Sequence, residues 1–95
     1  MMLSLDRIRL TAPARVMTRA VDDTTVLVDI DTGRSFTLDA IGTRVWTLLT
    51  TAASAQIAYD ALLVEYRADP DQVRTDLGQM IDVLAANHLL DVQNL

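Results

Sequence analysis

Apolar and polar positions alternate with a period of two between residues 15 and 38. From residue 41 to residue 84 they recur three or four apart, so the chain reads as strands followed by helices. Arg15 to Ala20 alternates weakly and predicts a first strand, closed by the turn residues Asp22-Asp23. Thr25 to Ile30 is β-branched and aliphatic, the strongest local strand signal. Asp31-Thr32-Gly33 reads as a short hairpin loop, with Gly33 free to take a positive φ. Arg34 to Leu38 is the third strand, with Phe36 and Leu38 on one face and Ser35 and Thr37 on the other. In a meander this strand has one sequential neighbour, which leaves it on an edge.

The helical part begins at once. Asp39 is placed to cap a helix running to Thr50, whose apolar positions are Ile41, Val45, Leu48 and Leu49. Ser54 caps a second helix with Ile57, Ala58, Ala61, Leu62 and Tyr66 on one face. Asp69-Pro70-Asp71-Gln72 combines a cap, Pro at the first helical position and Gln at the third. The helix it starts carries the stripe Val73, Leu77, Met80, Ile81 and Leu84 to Ala86, with Asn87 suited to a left-handed C-terminal cap. The fold class expected is therefore α+β and winged helix-turn-helix-like: a three-stranded antiparallel sheet followed by a three-helix bundle. Residues 1–13, including Leu3, Leu5, Ile8 and Leu10, fit neither period and read as an N-terminal arm. Residues 14–95 read as a single domain, and Leu89 to Val92 as a tail packed on the bundle or a stub of strand.

Composition narrows the function. The 95 residues suffice for one small core. Residues 1–20 hold Arg7, Arg9, Arg15 and Arg19 against Asp6, whereas the rest carries four Arg against twelve acids. In the third helix Arg74 faces Asp71, Asp76 and Asp82 in number, so phosphates would repel it and a nucleic-acid partner is not expected. With no Cys and His88 as the single His, no thiolate or imidazole metal site is expected, nor any cofactor. His88 reads as a capping or surface residue, and Asp22-Asp23 and Asp29-Asp31 as solvated turn formers. Three glycines, Gly33, Gly42 and Gly78, make no phosphate-cradling loop, and catalysis by this chain is not expected. Asp6, Arg7 and Arg9 interrupt any signal-peptide core and no apolar run reaches eighteen residues, which predicts a cytoplasmic protein without a membrane partner.

Order and spacing carry one resemblance. Gly33, Phe36, Leu38-Asp39, Gly42, Val45-Trp46 and Leu48-Leu49, then Ile57-Ala58, Leu62 and Tyr66, then Pro70, Val73, Asp76, Leu77 and Leu84, together resemble the PqqD-like family, the recognition elements of pathways that make ribosomal, post-translationally modified peptides. The resemblance spans roughly Arg15 to Val92. It implies a non-catalytic protein that binds the leader region of a precursor peptide between third strand and third helix and delivers it to a radical-SAM enzyme, a leader peptidase or a cyclase. Quinone-cofactor (PQQ) pathway members carry a Tyr-Pro-Glu-Gly-like turn before the third strand and Cys-Asp-Gly after the first helix. Here those places read Asp31-Thr32-Gly33 and Thr50-Thr51-Ala52, so the reading leans to lasso-peptide or related biosynthesis, with PQQ biosynthesis the alternative.

The residues agree with that expectation without it. An edge strand from Arg34 through Ser35, Phe36, Thr37 and Leu38 can receive an extended peptide as a further strand. Arg74, Leu77, Gly78 and Ile81 would form the facing wall, with Gly78 allowing close approach of a backbone. Such a strand with one or two anchors supports roughly micromolar binding, about −8 kcal/mol. Trp46 is expected in the core, and Asp76 is expected to cap a backbone group or pair with an Arg such as Arg44. A winged-helix regulator or dimerisation module is the reading from another class, because the same edge could pair with a second copy to give a homodimer.

Overall fold

A computed structural model describes residues 4–95. A 3-10 turn at Leu5–Arg7 leads into β1 (Ile8–Thr11), then β2 (Val16–Val21), β3 (Thr24–Asp29) and β4 (Ser35–Leu38). Three helices follow, α1 (Ala40–Thr51), α2 (Ala55–Tyr66) and α3 (Pro70–Ala86), and the chain closes with β5 (Asp91–Asn94). The expected α+β order is present, with β2-β3-β4 as an antiparallel meander. Leu27 stands between Thr18 and Phe36 in the register and is fully buried, which fixes the sheet face that meets the helices.

The segment set apart as an arm is built into the domain from Leu5 onward. β1 pairs antiparallel with β5 from Ile8↔Asn94 to Thr11↔Asp91, forming a second, two-stranded sheet. Leu5, Ile8 and Leu10 enter the core beside Leu89 and Leu90, so the tail supplies the partner strand that the first residues need. Leu3 lies outside the described residues. The fully buried side chains Leu10, Leu27, Leu49, Ile81 and Leu89 come from both sheets, two helices and the last turn, so a single core joins all the layers. Trp46 is buried in it, as its position predicts.

Local chemistry explains the boundaries. The loop between β3 and β4 runs from Ile30 to Arg34, longer than the three residues expected, because the Asp29 carboxylate folds it back on itself. Asp29 Oδ1 accepts from the backbone N–H of Asp31 at 2.9 Å and of Thr32 at 3.4 Å. Gly33 closes the loop at φ 74°, donating to the Asp29 carbonyl at 2.8 Å. Asp39 accepts from Gly42 N at 2.7 Å, Ser54 from Ile57 N at 3.3 Å and Asp69 from Asp71 N at 2.9 Å, so each expected cap forms.

At the end of α3 the left-handed residue is His88, at φ 59°, not Asn87, at φ −94°. His88 N donates to Ala85 O at 3.0 Å and Leu89 N to Leu84 O at 2.8 Å. Those two bonds are the Schellman pair, completed by burial of Leu84 and Leu89. Packing of Leu89 sets which residue turns, and it overrides the preference of Asn.

Asp29 also links the meander to the helices. Its side chain is buried and lies 3.6 Å from Arg15 Nε, while a second Arg15 nitrogen donates to the His88 carbonyl. Desolvation pushes the Asp29 carboxyl up, but the Asp31 and Thr32 N–H groups and the Arg15 guanidinium together hold it below its ordinary value. A carboxylate with a depressed folded-state pKa adds stability above its unfolded pKa and loses it as pH falls through the folded one. Urea unfolding at pH 7 and pH 3 should therefore show Asp29→Asn losing less stability on acidification than the parent chain. Equal losses would mean that Asp29 is not an acid-sensitive tie.

Candidate functional site

β3 hydrogen-bonds β4 along one side, and among the described residues no strand pairs with β4 along the other. That open side faces a cleft of about 560 Å³ lined by Phe36, Thr37, Leu38 and Asp39, by Gly42 of α1, and by Asp76, Gln79, Met80, Val83 and Leu84 of α3. A second, more apolar hollow of about 290 Å³ continues from it between the helices, sharing Gly42, Asp76 and Met80.

Gly42 brings strand and helix this close. A Cβ there would sit 3.2 Å from Asp39 Oδ1, tighter than most contacts, and 3.4 Å from Leu38 Cβ, at the near edge of ordinary contact.

The structure brings some of the expected site residues together and places others elsewhere. Phe36, Thr37 and Leu38 line the cleft. Phe36 and Leu38 are half-buried and pack against the core, while Ser35 and Thr37 are exposed. Arg34 is the last residue of the loop, and its guanidinium lies 5.7 Å from the centre of the Phe36 ring.

On α3, Leu77 is 3% exposed and reaches the inner hollow, and Ile81 is 1% exposed in the core. Arg74 stands over the Tyr59 ring at 6.0 Å, and Tyr59 Oη donates to the Pro70 carbonyl at 3.0 Å. Neither hollow is lined by Arg74, Gly78 or Ile81. The α3 lining of the cleft is instead Met80 and Leu84 of the stripe together with Asp76, Gln79 and Val83, which lie beside it on the helix. Val83 carries the signal that could have marked it, because it is a large apolar residue 58% exposed beside that stripe.

Arg44 pairs with Glu65 rather than Asp76, with Nε 3.1 Å and 3.0 Å from the two carboxylate oxygens, and this contact holds the Glu65 carboxyl below its ordinary range. Asp76 accepts from Gln72 Nε2 at 2.8 Å and keeps its carboxylate at the cleft.

Gly78 has open space where a Cβ would stand, with nothing within 4 Å. Gly78→Ala is therefore expected to raise stability by about 0.5–1 kcal/mol through helix propensity, read as a higher urea midpoint at unchanged slope. A fall in stability would show that the backbone there needs the missing side chain.

Fold and cleft together define a small α+β module that presents an unpaired strand beside a helix. Residues 24–90 match the family of Coenzyme PQQ synthesis protein D (PqqD), and the chain belongs to that family. TbiB1, solved in complex with the TbiA(beta) leader peptide, is 34% identical, with a TM-score of 0.80 over 85% of this chain and 94% of that one. No curated protein matches. Among the described residues no helix is long and apolar enough to cross a membrane.

Proposed function

We propose that this chain is a non-catalytic, cytoplasmic adaptor that binds the leader region of a ribosomally made precursor peptide and delivers it to a separate modifying enzyme or leader peptidase. The observation that carries this reading is the free side of β4 opening onto a cleft that α3 walls. An extended peptide would add there as a fourth strand.

The ladder alternates. Asp29 N donates to Arg34 O at 2.9 Å, so by the period of two Phe36 and Leu38 turn their backbone groups to β3, and Ser35 and Thr37 turn theirs to the free side. Backbone pairing is blind to sequence. Selection falls to the side chains of the cleft, above all Phe36, Leu38, Met80 and Val83. The leader peptide bound to TbiB1, a chain of the same fold, supports this class of ligand.

No bond is made or broken in this mechanism. The adaptor raises the local concentration of the precursor and fixes its register for an enzyme acting further along the peptide. A lasso-peptide or related pathway is the reading preferred, because the quinone-pathway turn and the Cys-Asp-Gly are replaced here by Asp31-Thr32-Gly33 and Thr50-Thr51-Ala52. The family's name keeps quinone-cofactor synthesis as the second reading, and flanking genes encoding a peptidase and cyclase, or a radical-SAM enzyme, decide between them.

Titration of the purified chain with the leader peptide encoded beside its gene tests the proposal. Binding in the micromolar range or tighter is expected, and no binding below about 100 micromolar would sink it.

A further inference from the structure

The cleft is not electrically uniform along its length. Gly42 follows β4 in the chain and lines both hollows, as do Asp76 and Met80, which places the Asp76 end of α3 at the Asp39 end of β4. Val83 and Leu84, further along α3, line the outer cleft only, toward Phe36. α3 therefore runs opposite to β4. One end of the cleft holds the carboxylates of Asp39 and Asp76, and no Arg is among its lining residues. Just beyond the other end, outside the lining residues, Arg34 stands over the ring of Phe36, which does line the cleft. Between them lies an apolar middle of Phe36, Leu38, Met80 and Val83.

On the reading that a peptide adds to β4 as an antiparallel strand, we propose that this charge axis selects its sequence class. The occupant is an antiparallel strand with a basic residue toward its N-terminus, an apolar residue two positions on and an acidic residue two beyond that. All three side chains face the cleft. The spacing follows from the geometry, since side chains on one face of a strand recur every second residue and four residues span about 14 Å. The antiparallel direction is that of the rest of the sheet. An antiparallel newcomer has its N-terminal end beside Leu38, where Asp39 and Asp76 favour a cation, and its C-terminal end beside Arg34. A parallel strand with the same sequence would set like charges against each other at both ends.

The test uses three fluorescein-labelled twelve-residue peptides identical except at the core, which reads Lys-Thr-Val-Thr-Glu, Glu-Thr-Val-Thr-Lys or Gln-Thr-Val-Thr-Gln. Each is titrated by fluorescence anisotropy against the full chain and against a double variant, Asp76→Lys with Arg34→Glu. Both substituted residues are exposed, and circular dichroism checks that the variant folds. The Lys-first peptide is expected to bind the parent chain about tenfold more tightly than the Glu-first one, with the neutral peptide between them and the gap narrowing at 1 M salt. In the double variant the order should reverse.

Equal affinities for all three peptides would overturn the charge axis and leave strand addition standing. A Glu-first preference in the parent chain would overturn the sequence class. Binding by none of the three would count against both the axis and the cleft itself.

Discussion

Val83→Asp should lower leader-peptide affinity by about thirtyfold or more while the fold stays intact. Val83 is 58% exposed and lines the cleft, so the new carboxylate costs little in the free protein and is forced against the peptide only in the complex. A fully desolvated anchor at the centre of an interface is commonly worth 2 kcal/mol or more, which sets the size of the effect. Phe36→Asp should produce a similar loss from the opposite wall. Phe36 packs against the core and carries Arg34 on its ring, so that variant should also be less stable. Leu77→Asp could not make the test, because a carboxylate at a side chain 3% exposed would break the core itself. Anisotropy titrations with circular dichroism on the same samples read both quantities. If Val83→Asp and Phe36→Asp both fold and both bind as well as the parent, the peptide does not lie between β4 and α3.

Leu10→Ala should destabilise the domain by about 3 kcal/mol. For a small domain with a total of roughly 5–10 kcal/mol, that corresponds to a fall in Tm of about 15 °C. Leu10 is fully buried, its strand pairs with β5 and packs on α1 and α2, so a truncated side chain leaves a cavity that the surrounding elements cannot easily collapse to fill. Urea unfolding should show a lower midpoint at an unchanged slope. A loss under about 1 kcal/mol would mean that β1 is an ornament on a core made by the meander and helices alone.

The meander, the three helices and their caps were legible because each signal lies within a few residues of its effect. Asp39, Ser54 and Asp69 each cap a helix through an N–H two or three residues on. β1 was not legible for the opposite reason. Ile8–Thr11 is four residues long, and its partner strand begins at Asp91, so nothing nearby in sequence reports the pairing.

The cleft was legible on one side only. Alternation puts Phe36 and Leu38 on one face, and both are half-buried against the core while Ser35 and Thr37 are exposed, since a strand has only two faces. On α3 the apolar stripe and the cleft wall overlap at Met80 and Leu84. The helical period identifies Leu77, Ile81 and Leu84 as apolar, but not the angle at which β4 approaches, so it does not mark Gln79 and Val83, and it gives Asp76 only as a cap or ion-pair partner. The pairing of Arg44 with Glu65 depends likewise on how α1 crosses α2, which no local pattern reports.

The β1–β5 ladder brings Ile8 opposite Asn94, and Leu95 N donates to the Arg7 carbonyl at 2.8 Å. The first and last strands therefore lie side by side. A unit of this shape can be spliced into a surface loop of a larger polypeptide with little distortion of the host, and its ends can be joined and the chain reopened elsewhere to give a circular permutant.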